Sequence, residues 1–229
     1  MTIGYFKLNL PEGKVKFNDQ RLNALVEKCR PKKVSPFYLE FSPGETVHCD
    51  AIVVHPQALL DVLILDMEKC ETRLNRSEDE NEKSLAAKCL AWLEQEKPLC
   101  DCPFSEEEKN RLPALGLASA KPVLVTDSID DLDDLISRIL AKSAIMFFYT
   151  VGPKEVHAWP VPRDSEIVYC AGRIHSDLAR GFIRADLVSY NDFMQCFNMN
   201  ECRQKGLVRV VDRGHLVEDG TIIEIRFNV

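Results

Sequence analysis

Three runs in close succession, Ala171-Gly-Arg-Ile-His-Ser-Asp177, Ala179-Arg-Gly-Phe-Ile-Arg-Ala185 and Val188-Ser-Tyr-Asn-Asp-Phe193, together with the closing run Val217-Glu-Asp-Gly-Thr-Ile-Ile-Glu-Ile-Arg-Phe-Asn-Val229, decide the reading of this chain. Short apolar segments there are broken by Gly, Asp and Ser, as expected of short strands joined by turns. With Ala144-Ile-Met-Phe-Phe-Tyr-Thr150 they form one small β-rich module. Its aromatic residues Phe147, Phe148, Trp159, Phe182, Phe193 and Phe227 are read as sheet core rather than as a platform for stacking bases.

Upstream, Thr2 to Leu8 reads as a strand. Asn18 or Asp19 can cap a helix with Leu22, Leu25, Val26 and Cys29 at helical spacing, limited by Pro31. Pro36 to Phe41 alternates like a strand, and Ala51-Ile-Val-Val54 is a short buried one. Pro56 suits the first turn of a long helix through Leu74. Ser77-Glu-Asp-Glu80 has the capping-box pattern and predicts the start of a second helix, antiparallel to the first. Ser105-Glu-Glu-Glu108 predicts another capping box, opening a short helix that ends before Pro113. A buried strand at Pro122 to Thr126 and an amphipathic helix from Ile129 to Lys142 follow, with a domain joint near Ser143 to Val151.

The 229 residues suffice for one large or two small cores, and the hydrophobic content of 45% is that of a globular chain. No apolar run is long enough to cross a bilayer and no signal-peptide layout opens the chain, so a cytoplasmic protein with no membrane partner is expected. The nine cysteines read as free thiols, and Cys100-Asp-Cys102 lacks a second Cys/His pair at zinc spacing, so no metal is expected. A net charge of −7 argues against a general nucleic-acid binder, although the basic residues concentrate before Lys33 and the acidic ones in the middle. His48-Cys49 and His55 flank a buried strand with no orienting acid nearby, and a structural role is expected for them; no catalytic residue is assigned.

The closing module strongly resembles the C-terminal TGS-type domain of the Obg-like ATPase (YchF) family. The resemblance continues upstream through Phe17-Asn-Asp-Gln-Arg-Leu22, Lys28-Cys-Arg-Pro-Lys-Lys33, Glu68-Lys-Cys-Glu-Thr-Arg-Leu74, Glu96-Lys-Pro98 and Ala120-Lys-Pro-Val-Leu124. It implies an α/β protein with a remnant P-loop-type sheet at 1–143, a helical hairpin inserted at about 57–118, and a ubiquitin-like β-grasp domain at 144–229. It also implies that Gly181 takes a backbone conformation other residues resist.

The nucleotide machinery of that family is sparse here. A P-loop needs G-x-x-x-x-G-K-[ST], because glycine amides cradle the phosphates, Lys reaches them and the hydroxyl holds Mg²⁺. Asn9-Leu-Pro-Glu-Gly-Lys-Val15 is one residue short and has Val15 at the hydroxyl position, leaving Lys14 as a weak nucleotide-binding candidate. Ser42-Pro-Gly-Glu45 stands where the family has Asp-x-x-Gly, and Ser128-Ile-Asp-Asp131 where it has a base-reading Asn-x-x-Glu. These departures predict a pseudo-NTPase without cofactor: a non-catalytic binding protein whose family implies the ribosome or its RNA as partner. Lys154, Arg173, His175, Arg180 and Arg184 are the partner-binding candidates, as a basic edge on the module. The alternatives are residual ATP or GTP binding through Lys14 and an adaptor for another protein without RNA contact.

Overall fold

The computed structural model describes residues 1–228; Val229, the last residue of the closing run, lies outside the described residues. In chain order the strands are β1 (Thr2–Phe6), β2 (Gly13–Lys16), β3 (Lys33–Ser35), β4 (Tyr38–Pro43), β5 (Ala51–Val54), β6 (Val123–Val125), β7 (Ile145–Val151), β8 (Glu155–Pro162), β9 (Phe182–Val188), β10 (Arg209–Val211) and β11 (Ile222–Phe227). The α-helices are α1 (Gln20–Cys29), α2 (Pro56–Arg76), α3 (Glu80–Leu93), α4 (Glu106–Leu115), α5 (Leu132–Lys142), α6 (Ile167–Ile174), α7 (Ser176–Arg180), α8 (Tyr190–Met194) and α9 (Met199–Gln204). The chain divides into two compact mixed units, one of residues 1–15 and 38–143, the other of 16–37 and 144–229.

The first unit holds a five-stranded sheet in the order β2-β4-β1-β5-β6. β1 pairs in parallel with β4 and β5, and β5 in parallel with β6. A parallel strand covered on both faces needs a continuous apolar run, and all four residues of β5 are buried. Gly4 on β1 is required by close approach: an added Cβ would lie 1.8 Å from the Glu45 carbonyl oxygen. His55 caps α2, its Nδ1 accepting from the Gln57 amide at 3.2 Å, and Pro56 occupies the first turn. α2 and α3 pack on each other around Leu63, Cys70, Leu85, Cys89 and Leu93.

Two caps differ from expectation. The Ser77 box does not form, because the Asp79 carboxylate reaches the Asn81 amide at 2.9 Å and caps α3 itself. The Ser77 hydroxyl instead bonds Glu82 at 2.5 Å. The Ser105 box does form, with both reciprocal hydrogen bonds to Glu108. Its helix runs past Pro113 to Leu115 and stops at Gly116, which has φ +62°. Pro113 removes an amide near the end of a ten-residue helix, where little of the hydrogen-bond ladder remains to be broken.

The second unit is built on a six-stranded sheet, β10-β9-β11-β7-β8-β3. β7 and β8 form an antiparallel hairpin, β11 runs parallel to β7 and antiparallel to β9, and α6 packs on the sheet through Ile167, Cys170 and Ala171. Residues 16–37, which the sequence reading assigns to the first part, belong to this unit and are fastened to it by polar contacts. Asp19 caps α1 through the amides of Arg21 and Leu22 and also accepts a buried hydrogen bond from the Tyr149 hydroxyl at 2.7 Å. Arg21 pairs with Asp219 at 2.6 Å. β3 pairs in parallel with β8, where Glu155 accepts from Lys33 at 2.9 Å and from the Ser35 hydroxyl at 2.5 Å. Gly181 has φ −90°, so the left-handed backbone expected there is absent.

Candidate functional site

The partner-binding candidates all lie on the second unit. Lys154 is exposed on the turn between β7 and β8. Arg173 is exposed in the last turn of α6, where a cation also complements the helix dipole. His175 joins α6 to α7 and caps the latter, its Nδ1 accepting from the Asp177 amide at 3.1 Å. Arg180 is tied back to Asp177 at 2.7 Å, and Arg184 on β9 faces Asp212 at 3.3 Å. Arg173 and Lys154 have no carboxylate within ion-pair distance among the described residues. Exposed ion pairs of the Arg180 and Arg184 kind contribute at most about 1 kcal/mol, so an incoming phosphate or carboxylate can exchange for them at little cost.

None of the five side chains lines the groove of about 690 Å³ on this unit, whose walls include Lys28, Pro153, Ile174, Phe193, Phe197 and Phe227. Arg184 is elsewhere on the sheet, opposite Arg226 in the β9–β11 register. The sequence reading misses the groove because its walls come from α1, α6, α8 and β11, which no local pattern connects. Phe227 was expected in the core and is instead 49% exposed, while Phe148 and Phe193 are buried as expected. The pairing of β11 with β9 is irregular there, with a register shift between Arg226 and Phe227.

Beneath the sheet edge lies a charged network that sequence alone did not reveal. The fully buried Asp186 accepts through Oδ2 from Arg203 at 2.8 Å and from Arg226 at 2.9 Å, and Arg203 also pairs with Glu224. Burial pushes the Asp186 carboxyl up, but the hydrogen bonds from Arg226 and Arg203 outweigh it and hold it below its ordinary range. Asp186 is buried within this network, while Arg203 and Glu224 also line the groove.

Lys14 lies on β2 with its ammonium 4.8 Å from the centre of the Tyr38 ring, a cation–π contact. Burial pushes the Cys49 thiol up against a smaller opposing pull from Lys121, and burial pushes Cys170 up to about 12, so neither is an activated nucleophile. No helix among the described residues is long and apolar enough to cross a membrane.

Residues 145–228 match the YchF-GTPase_C family, described as a protein of unknown function (DUF933). The ribosome-binding ATPase YchF of Bacillus subtilis is 25% identical, and the match covers 95% of this chain and 89% of that protein. The alignment runs to 325 positions, more than this chain has residues, so it contains segments of the Bacillus protein with no counterpart here. Obg-like ATPase 1 of Bos taurus is 31% identical over 65% of this chain but only 40% of its own length. These matches support the Obg-like ATPase (YchF) family. In fold, it matches the solved structure of the Schizosaccharomyces pombe YchF GTPase with a TM-score of 0.78 at 17% identity, over 96% of this chain and 88% of that one.

These relationships correct one expectation. The pseudo-NTPase reading rested on missing motifs, but the relatives are named ATPases and the fold neighbour a GTPase, which points to a family of NTPases.

Proposed function

We propose that this protein is a ribosome-associating member of the YchF family. The observation that carries this is the similarity to the ribosome-binding ATPase YchF across 95% of the chain. The contact surface would be the second unit, with Lys154 and Arg173 as cations free to meet phosphate and His175, Arg180 and Arg184 as further basic groups on the same unit. Guanidinium groups suit this role because their planar fork can hold two phosphate oxygens at once. The sheet order around the parallel β7–β11 pair, with α6 packed against it, supports a TGS-type β-grasp assignment for this unit. The test is a sucrose-gradient comparison of the wild type with Lys154→Glu/Arg173→Glu. The double variant is expected to leave the ribosomal fractions at a salt concentration that retains the wild type, whereas identical profiles would remove this surface from the proposal.

The relatives' names also bring nucleotide into the proposal, and one observation favours the first unit as its place. β4, β1, β5 and β6 are parallel, and sheets of this kind bind ligands beyond the carboxyl ends of their strands. Lys7 follows β1 and His55 follows β5 at that edge. Calorimetric titration with Mg-ATP and Mg-GTP is expected to show saturable binding, weakened by Lys7→Ala. A loss on Lys14→Ala would move the site to β2, and a flat titration would leave ribosome association as the whole function.

A further inference from the structure

The first unit has a second groove, of about 610 Å³, whose lining charges are all of one sign. Its apolar part is made by Leu112, Leu117 and Val47, and Lys69, Lys109 and Lys121 stand around it, with no acidic side chain among the lining residues. This is notable in a protein of net charge −7, where a chance cluster would more often be acidic.

The lysines are held in place but only partly neutralised. Lys121 donates to the carbonyls of Thr46 and Val47 at 2.8 and 2.7 Å and has no carboxylate within ion-pair distance among the described residues. Lys69 donates to the Gly116 carbonyl at 2.6 Å, with buried Asp66 at 3.7 Å. Asp66 is already committed to the amides of Ala118 and Ser119, at 2.8 and 2.7 Å, and to the Ser119 hydroxyl. Among the described residues Lys109 has only the surface pair with Glu106, two exposed side chains three residues apart on α4. Such pairs contribute little and are readily exchanged. Val47 is 69% exposed at the mouth, an apolar side chain with nothing covering it.

We propose that this groove is a docking site for an extended acidic segment of a partner protein, with carboxylates set between apolar side chains. The charge pattern selects an anion, and the apolar floor selects a peptide over nucleic acid. A phosphate backbone would satisfy the lysines but would leave Leu112, Leu117 and Val47 against a charged strand. An acidic segment with apolar side chains matches both features, the apolar groups supplying affinity and the charges orientation and on-rate. The site lies in a different unit from the proposed ribosome surface and stands without it.

The test is fluorescence anisotropy of the full chain with a fluorescein-labelled ten-residue peptide alternating Glu and Leu. A counterpart with Lys in place of Glu, and a ten-nucleotide uridine RNA, serve as competitors. Val47→Asp and Lys109→Glu both alter exposed side chains outside the core, and circular dichroism checks that each still folds. Saturable binding of the acidic peptide is expected, weakened by about tenfold or more in each variant and not competed by the Lys peptide. The proposal is overturned if the acidic peptide does not saturate by about 1 mM, a very weak affinity. It is equally overturned if both peptides bind alike, if both variants bind as the wild type does, or if the RNA displaces the peptide and is itself bound more tightly.

Discussion

Asp19 does two jobs with one carboxylate: it caps α1 and accepts the Tyr149 hydroxyl inside the second unit. Burial, and then the adjacent Asp19 charge, push the Tyr149 phenol far above its ordinary pKa, so it stays a neutral donor at any working pH. Tyr149→Phe removes that donor and leaves a buried carboxylate oxygen without it, which is expected to cost about 1–3 kcal/mol in urea denaturation. Asp186 offers a pH test. Its folded-state pKa is depressed, so the stability it contributes is fully present above the ordinary aspartate pKa of about 3.9 and is lost as pH falls through the lower folded value. Asp186→Asn is expected to lower stability at neutral pH by about 2–3 kcal/mol and to flatten the loss seen on acidification below about pH 4. An unchanged acid limb would mean that other carboxylates set it.

At the scale of elements, the caps separate pattern from geometry. Ser77 and Ser105 each precede a Glu by three residues, yet only Ser105 forms the box, because Asp79 starts α3 two residues later than the pattern suggests. Asp79→Ala and Ser105→Ala are therefore each expected to cost about 1 kcal/mol, read by thermal denaturation and by faster amide exchange in the first turn of the affected helix. A cost at Ser105 with none at Asp79 would contradict the assignment of the α3 cap. The long elements were legible because their signals are local: the unbroken apolar run of β5, Pro56 at the head of α2, and the spacing of Leu22 and Leu25 on α1. β3 was not. It is three residues long with two of them exposed, and it is a strand only because β8 supplies the partner.

For the whole molecule, chain order proved a poor guide to packing. The segment 16–37 folds with residues 144–229 through Asp19–Tyr149, Arg21–Asp219 and the β3–β8 ladder, contacts separated by more than a hundred residues in sequence. The two grooves were illegible for the same reason, since each collects its walls from distant elements. The basic candidates could be named from sequence, but not which of them were already paired; Arg180 and Arg184 have acidic partners, and only the folded chain shows Arg173 and Lys154 without them among the described residues. The family relationship points to the ribosome, and counterion release gives that association a signature, because contacts to phosphate weaken steeply as salt rises. The most direct test is co-sedimentation of the purified protein with ribosomes from its host, without nucleotide, across a salt series. Co-migration at low salt that falls away as salt increases is the predicted result; absence from every ribosomal fraction at low salt would contradict the account.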